Sequence, residues 1–185
     1  MFQTNAQKFS LNDAQWWRGQ VVLEEEDTLN TLFQYNTETN SLRIKDSEGN
    51  IKMYSPKTVT SFSFNDPNWK QKRVFETFLY TKKVGGYETP MFFEILVNGK
   101  KMSCFIRENY NTSAWLNVQT LSKPFADYFL QTTDGSIYLY RGSTKDLIKL
   151  MEDRKEEIET FIKKNKLNTD FLGDLLRIVA YYNRL

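Results

Sequence analysis

For most of its length this chain repeats one device: a short run of alternating apolar and polar residues, then a cluster of turn formers. Ser41-Leu42-Arg43-Ile44-Lys45 alternates cleanly, Asp46-Ser47-Glu48-Gly49-Asn50 supplies turn chemistry, and Ile51-Lys52-Met53-Tyr54 resumes the alternation. Side chains on an extended strand point alternately to opposite faces, so such a run buries one face and wets the other. Two runs joined by a Gly-containing turn read as a hairpin, and a sheet with one wet face is antiparallel.

The same reading assigns strands to residues 17–23, 31–35, 59–64, 73–80, 91–97, 101–106, 128–130 and 136–140. Asn98-Gly99 and Asp134-Gly135 mark two further hairpins. Asn98-Gly99 in particular suggests a two-residue type I′ turn, whose central residues both need positive φ. About nine or ten short strands at this spacing suggest a rolled sheet or a barrel-like sandwich.

At Ser143 the period changes. Ser143-Thr144-Lys145-Asp146 resembles a capping box with Asp in place of Glu. Leu147, Ile148, Leu150 and Met151 then form a helical apolar face, followed by Ile158, Phe161 and Ile162 in a second helix over residues 153–164. Asn168 or Thr169 is expected to cap a third, carrying Phe171, Leu172, Leu175, Leu176, Ile178 and Val179. The expected class is α+β: mainly antiparallel β, then three short C-terminal helices. The expected organisation is a lead-in over residues 1–15, a β domain over 16–141 and a helical segment over 142–185 docked on it.

Fourteen Phe, ten Tyr and four Trp give an aromatic core, while histidine is absent and Cys104 is the one cysteine. Without imidazole there is no Ser-His or Cys-His couple and no ordinary zinc site, so no catalytic residue, metal ligand or cofactor is assigned. Cys104 lies in an apolar run and reads as a small buried hydrophobe. The net charge of +2 has no dense basic tract behind it, which argues against nucleic acid as partner. No run of apolar residues is long enough for a transmembrane helix.

Several side chains invite a functional reading. Glu24-Glu25-Glu26-Asp27 lacks the spacing and the Gly of a calcium loop, so it reads as a solvated turn. Glu76, Glu94 and Glu108 are the carboxylates placed in strands. A pair of them is what glycoside hydrolysis requires. Glu94 follows Phe92-Phe93, and its expected partner is Arg107 on a neighbouring strand, because buried carboxylates are usually paired. Among the aromatics, Trp69 and Tyr87 fall in loops and, with Trp16 and Trp17, are the candidate binding residues. Asn111-Thr112-Ser113 is a formal glycosylation acceptor, and Asp27-Thr28-Leu29 resembles a short O-glycosylation signal. Thr4 and Ala6 stand where a signal peptidase site before Gln7 would need small residues.

Three groups of residues together carry a resemblance. One is Gly19-x-Val21-Val22-Leu23 with Leu42-x-Ile44-x-Asp46 and Val59-x-Ser61-Phe62-x-Phe64-x-Asp66. Another is Gly86-Tyr87-x-x-Pro90-x-Phe92-Phe93-Glu94, with Arg107-Glu108. The last is the run from Phe161 to Asn168 with Tyr181-Tyr182-Asn183-x-Leu185. Over residues 16–185 the chain resembles a family of uncharacterised exported Bacteroidetes proteins. The resemblance implies a signal peptide, export to the periplasm or outer membrane, and no established activity.

The expected function is therefore a non-enzymatic binding or assembly module of the cell envelope, whose partner is an envelope protein or a small ligand. The alternatives are a carboxylate-dependent exported enzyme acting on a glycan, and an accessory subunit of a larger outer-membrane or secretion complex.

Overall fold

The structure is a computed structural model that describes residues 15–25, 27–67, 70–81, 85–108 and 126–185. Among them are ten strands: β1 Trp17–Leu23, β2 Thr28–Asn36, β3 Ser41–Lys45, β4 Ile51–Tyr54, β5 Val59–Asp66, β6 Gln71–Tyr80, β7 Thr89–Val97, β8 Met102–Glu108, β9 Ala126–Thr132 and β10 Ile137–Tyr140. Three helices follow, α1 Thr144–Leu150, α2 Lys155–Asn165 and α3 Leu172–Tyr182, with a 3-10 turn at Glu152–Arg154 between the first two. The class is α+β, as expected.

The strands hydrogen-bond in the order β10-β9-β8-β7-β6-β5-β1-β2-β3-β4, so the sheet is open, with β10 and β4 at its edges. The pairings β1–β2, β2–β3, β3–β4, β1–β5, β5–β6, β6–β7 and β9–β10 are all antiparallel. β1 sits between β2 and β5, so the β4–β5 connection carries the chain past the first hairpin to pair on β1's other side.

Turn chemistry explains two of the hairpins. Between β3 and β4, the Asp46 N–H donates to the Asn50 carbonyl at 2.9 Å and Gly49 N–H to the Asp46 carbonyl at 3.1 Å. The Asp46 carboxylate accepts from the Glu48 and Asn50 N–H groups. The β9–β10 turn closes the same way, with Gly135 at φ 84°. That left-handed residue is what lets a three-residue loop match the strand twist.

The expected type I′ turn at Asn98-Gly99 is corrected. Neither residue has positive φ, and four residues separate β7 from β8. Gly99 is required for a different reason, because a Cβ there would run into the Asn183 side chain.

The chain forms two compact units, Met1–Glu94 with Arg107–Ala126, and Ile95–Ile106 with Asp127–Leu185. The first unit has an aromatic core in which Phe62 and Phe75 stack at 4.5 Å and Phe92 meets Phe62 edge-on at 5.1 Å. The second unit has an aliphatic core of Met102, Leu130, Leu147, Met151, Ile158 and Ile178. Helices too short to stand alone are held there by burial of these faces. Ser143 caps α1 as expected, its Oγ accepting from Asp146 N–H at 3.2 Å. Asn168 and Thr169 do not cap α3; its N-cap residue is Phe171, which is exposed and precedes the helix rather than being carried on it. Asn168 instead binds the Asp170 N–H, and Thr169 the Gly142 carbonyl.

Candidate functional site

Two of the three carboxylates singled out in the strands, Glu94 and Glu108, converge with Asp66 on an arginine that sequence reasoning passed over. β5 and β6 pair with Phe64 opposite Arg73, and β6 and β7 with Phe75 opposite Glu94. Arg73 and Phe75 therefore share a face, and Glu94 lies diagonally across from Arg73, within reach of a long side chain. Arg73 Nε donates to Glu94 Oε1 at 2.8 Å and Nη2 to Glu94 Oε2 at 2.6 Å, a two-pronged pair. The same Nη2 donates to Glu108 Oε1 at 3.2 Å, and Nη1 lies 3.5 Å from Asp66 Oδ2. The guanidinium also stands 5.4 Å from the Phe75 ring centroid and 5.8 Å from that of Phe64.

Arg73 is 5% exposed, and Asp66 and Glu94 are buried with it. Burial alone would disfavour the charge, yet hydrogen bonding and attraction to Glu94, then Glu108, outweigh it and raise the guanidinium's pKa. The expected partner of Glu94 is thus corrected from Arg107 to Arg73. Arg107 donates instead to the Thr37 carbonyl at 3.4 Å and lies 3.6 Å from the Met91 sulfur. It also faces Tyr35, whose phenol is pushed up by burial and pulled back by Arg107. Glu76, next in sequence to Phe75, points to the opposite face and does not join the cluster.

The remaining candidates separate. Cys104 is buried, and burial pushes its thiol up to about 12, so it is no thiolate at neutral pH. Trp17 is 5% exposed and packs on Phe64 at 4.5 Å, a core residue rather than a surface one. Trp16 is half-buried. Tyr87 is 94% exposed, as its loop position suggests. Trp69 lies outside the described residues, as do Asn111, Thr4 and Ala6. Glu24 and Glu25 are exposed in the turn after β1, as expected.

What sequence reasoning missed lies at the sheet edge. Strands β1 to β4 carry Arg18, Arg43, Lys45 and Lys52 and not one carboxylate. All four cations are exposed. The acids of this stretch, Asp46 and Glu48 among them, fall in the turns. The register aligns Arg18, Leu32, Lys45 and Ile51 across the four strands, with Arg43 beside Met53 in the next row. Ile51 is 48% and Met53 70% exposed. On the other face a groove of about 400 Å³ has Leu29, Ile44 and Tyr54 as its apolar wall and Lys52 and Thr31 among its polar groups. A volume of this order is within the range of ligand-binding clefts. A smaller cleft of about 220 Å³ in the second unit lies between two turns and is polar throughout, with Lys100, Ser103, Thr132 and Thr133 among its lining.

Among the described residues no group of three or more acidic or cysteine side chains is arranged to hold a metal ion, and no helix is long and apolar enough to cross a membrane. Compared with protein-family models, with curated proteins and with solved structures, the chain matches none.

Proposed function

We propose that this chain is a non-enzymatic binding or assembly module, exported to the bacterial cell envelope. The observation that carries the reading is the Arg73 cluster. Glu94 and Glu108, two of the three strand carboxylates that would otherwise be candidates for acid-base chemistry, converge with Asp66 on one buried guanidinium. Carboxylates committed in this way hold strands together, and the thiol is protonated and buried. The surface, by contrast, offers an open strand edge with exposed apolar side chains and exposed cations. Export and the envelope location rest on the resemblance in residues 16–185.

The rival reading, a glycan-directed enzyme, draws on Glu94 and Glu108 sharing Arg73 Nη2. The two separate in one experiment: hydrolysis of a panel of glycans by the wild type and by Glu94→Gln, beside capture of envelope proteins on the immobilised chain. Capture of a specific protein without turnover supports the module. Turnover abolished by Glu94→Gln in a folded variant overturns it.

A further inference from the structure

β4 has one strand neighbour among the described residues, β3, and its other side is the edge of the sheet. The hydrogen bond from Asp46 N–H to the Asn50 carbonyl marks those two residues as a bonded pair. In an antiparallel ladder bonded and non-bonded pairs alternate, so the next bonded pair is Ile44 with Lys52. Ile51, opposite Lys45, and Met53, opposite Arg43, fall in the non-bonded positions. Their N–H and C=O groups point away from β3, into the open edge. The same two residues are the ones with exposed apolar side chains. Native sheets usually protect such an edge with short strands, Lys, proline or a bulge; β4 is only 4 residues long and carries Lys52, yet it still presents exposed Ile51 and Met53 on either side of that lysine.

The geometry points to β4 as a docking edge for an extended segment of a partner protein in which acidic and apolar residues alternate. This rests on reading the chain as a binding module and names the partner's chemistry. A strand laid along β4 takes main-chain hydrogen bonds from Ile51 and Met53. Its side chains on one face meet Ile51 and Met53, with the Lys45 and Arg43 cations one strand further in. On the other face they meet the groove wall of Ile44 and Tyr54, with Lys52 beside it. The charge match is the reason for an acidic partner, since β3 and β4 carry Arg43, Lys45 and Lys52 and no carboxylate, Asp46 and Glu48 falling in the turn that joins them. Lys52 is free to pair outward: its one internal ion pair, with Asp46, is at 3.9 Å, and Asp46 is already committed to the turn. An anionic membrane would satisfy the cations but would leave the edge amides unpaired, which is why a strand is favoured over a lipid surface.

The test uses the full chain and a fluorescent peptide of about ten residues alternating Glu and Val, with a Lys-Val peptide and phosphatidylglycerol vesicles alongside. The expected result is binding of the Glu-Val peptide alone, with slowed hydrogen exchange at the Ile51 and Met53 amides. Met53→Pro removes an outward donor without removing a β3–β4 bond, and should weaken binding about tenfold or more. Should that variant unfold, Lys45→Glu with Lys52→Glu, both on exposed side chains, makes the same comparison. Absence of peptide binding, binding indifferent to both variants, or binding of the vesicles alone overturns the docking edge. If an envelope protein is still captured by the Met53→Pro chain, the edge falls and the binding-module reading stands.

Discussion

Arg73 ties four strands together, because its three carboxylate partners lie on β5, β7 and β8 while it stands on β6. Removing it leaves three carboxylates facing a cavity lined by Phe64 and Phe75. We expect Arg73→Met to cost about 3–5 kcal/mol, read from the urea midpoint. Glu94→Gln should cost less, about 1–3 kcal/mol, because Glu108 and Asp66 still hold the guanidinium. Equal losses from the two variants would mean that Glu94 alone carries the cluster. That Glu94 would be paired was legible from its place in an apolar strand. Which arginine pairs it was not, because Arg73 and Arg107 both lie in strands that can flank β7. The choice is made by the register Phe75–Glu94, which one residue of slip would reverse.

Among the elements, α3 is tied to β8 by one side chain. Asn183 Oδ1 accepts from the N–H groups of Lys101 and Met102 at 2.9 and 3.1 Å. Its Nδ2 donates to the carbonyls of Met102 at 2.8 Å and Val179 at 2.9 Å. The carboxamide thus imitates a stretch of neighbouring strand at the start of β8. Asn183→Ala leaves these groups short of partners and should cost about 1–3 kcal/mol, with faster hydrogen exchange at Lys101 and Met102. Gly99→Ala should show the same exchange signature, because its methyl group displaces the Asn183 side chain. An unchanged exchange rate in both would remove the clamp. The strands on either side of each turn and the helix start at Ser143 were legible, since alternation and capping are local properties. The role of Gly99 was not, because its partner lies more than 80 residues away. The edge position of β4 was hidden for a similar reason: strand order is a property of the whole chain.

For the whole molecule, pH is the most direct probe of how the cores are built. The buried thiol of Cys104 is pushed up to about 12, and Tyr182, buried and bonded to Asp153, also to about 12. Tyr35 is raised as well, chiefly by burial. Each folded pKa exceeds its unfolded value, so the stability these protons contribute is fully present below the unfolded thiol value of 9.0 and is lost as pH rises from there towards 12. The urea midpoint should hold steady to about pH 8.5 and fall beyond it, and Cys104→Ala should make the fall shallower. An identical slope in the variant would show that the thiol is not protected. The two cores also differ in what they absorb and emit. Among the described residues, Trp16 and Trp17 belong to the first compact unit and all three helices to the second. With Trp69 and Trp115 replaced by Phe, indole fluorescence therefore reports the first unit, and helical ellipticity at 222 nm the second. Followed together through one denaturant titration, the two signals show whether the units unfold in a single cooperative step or in turn.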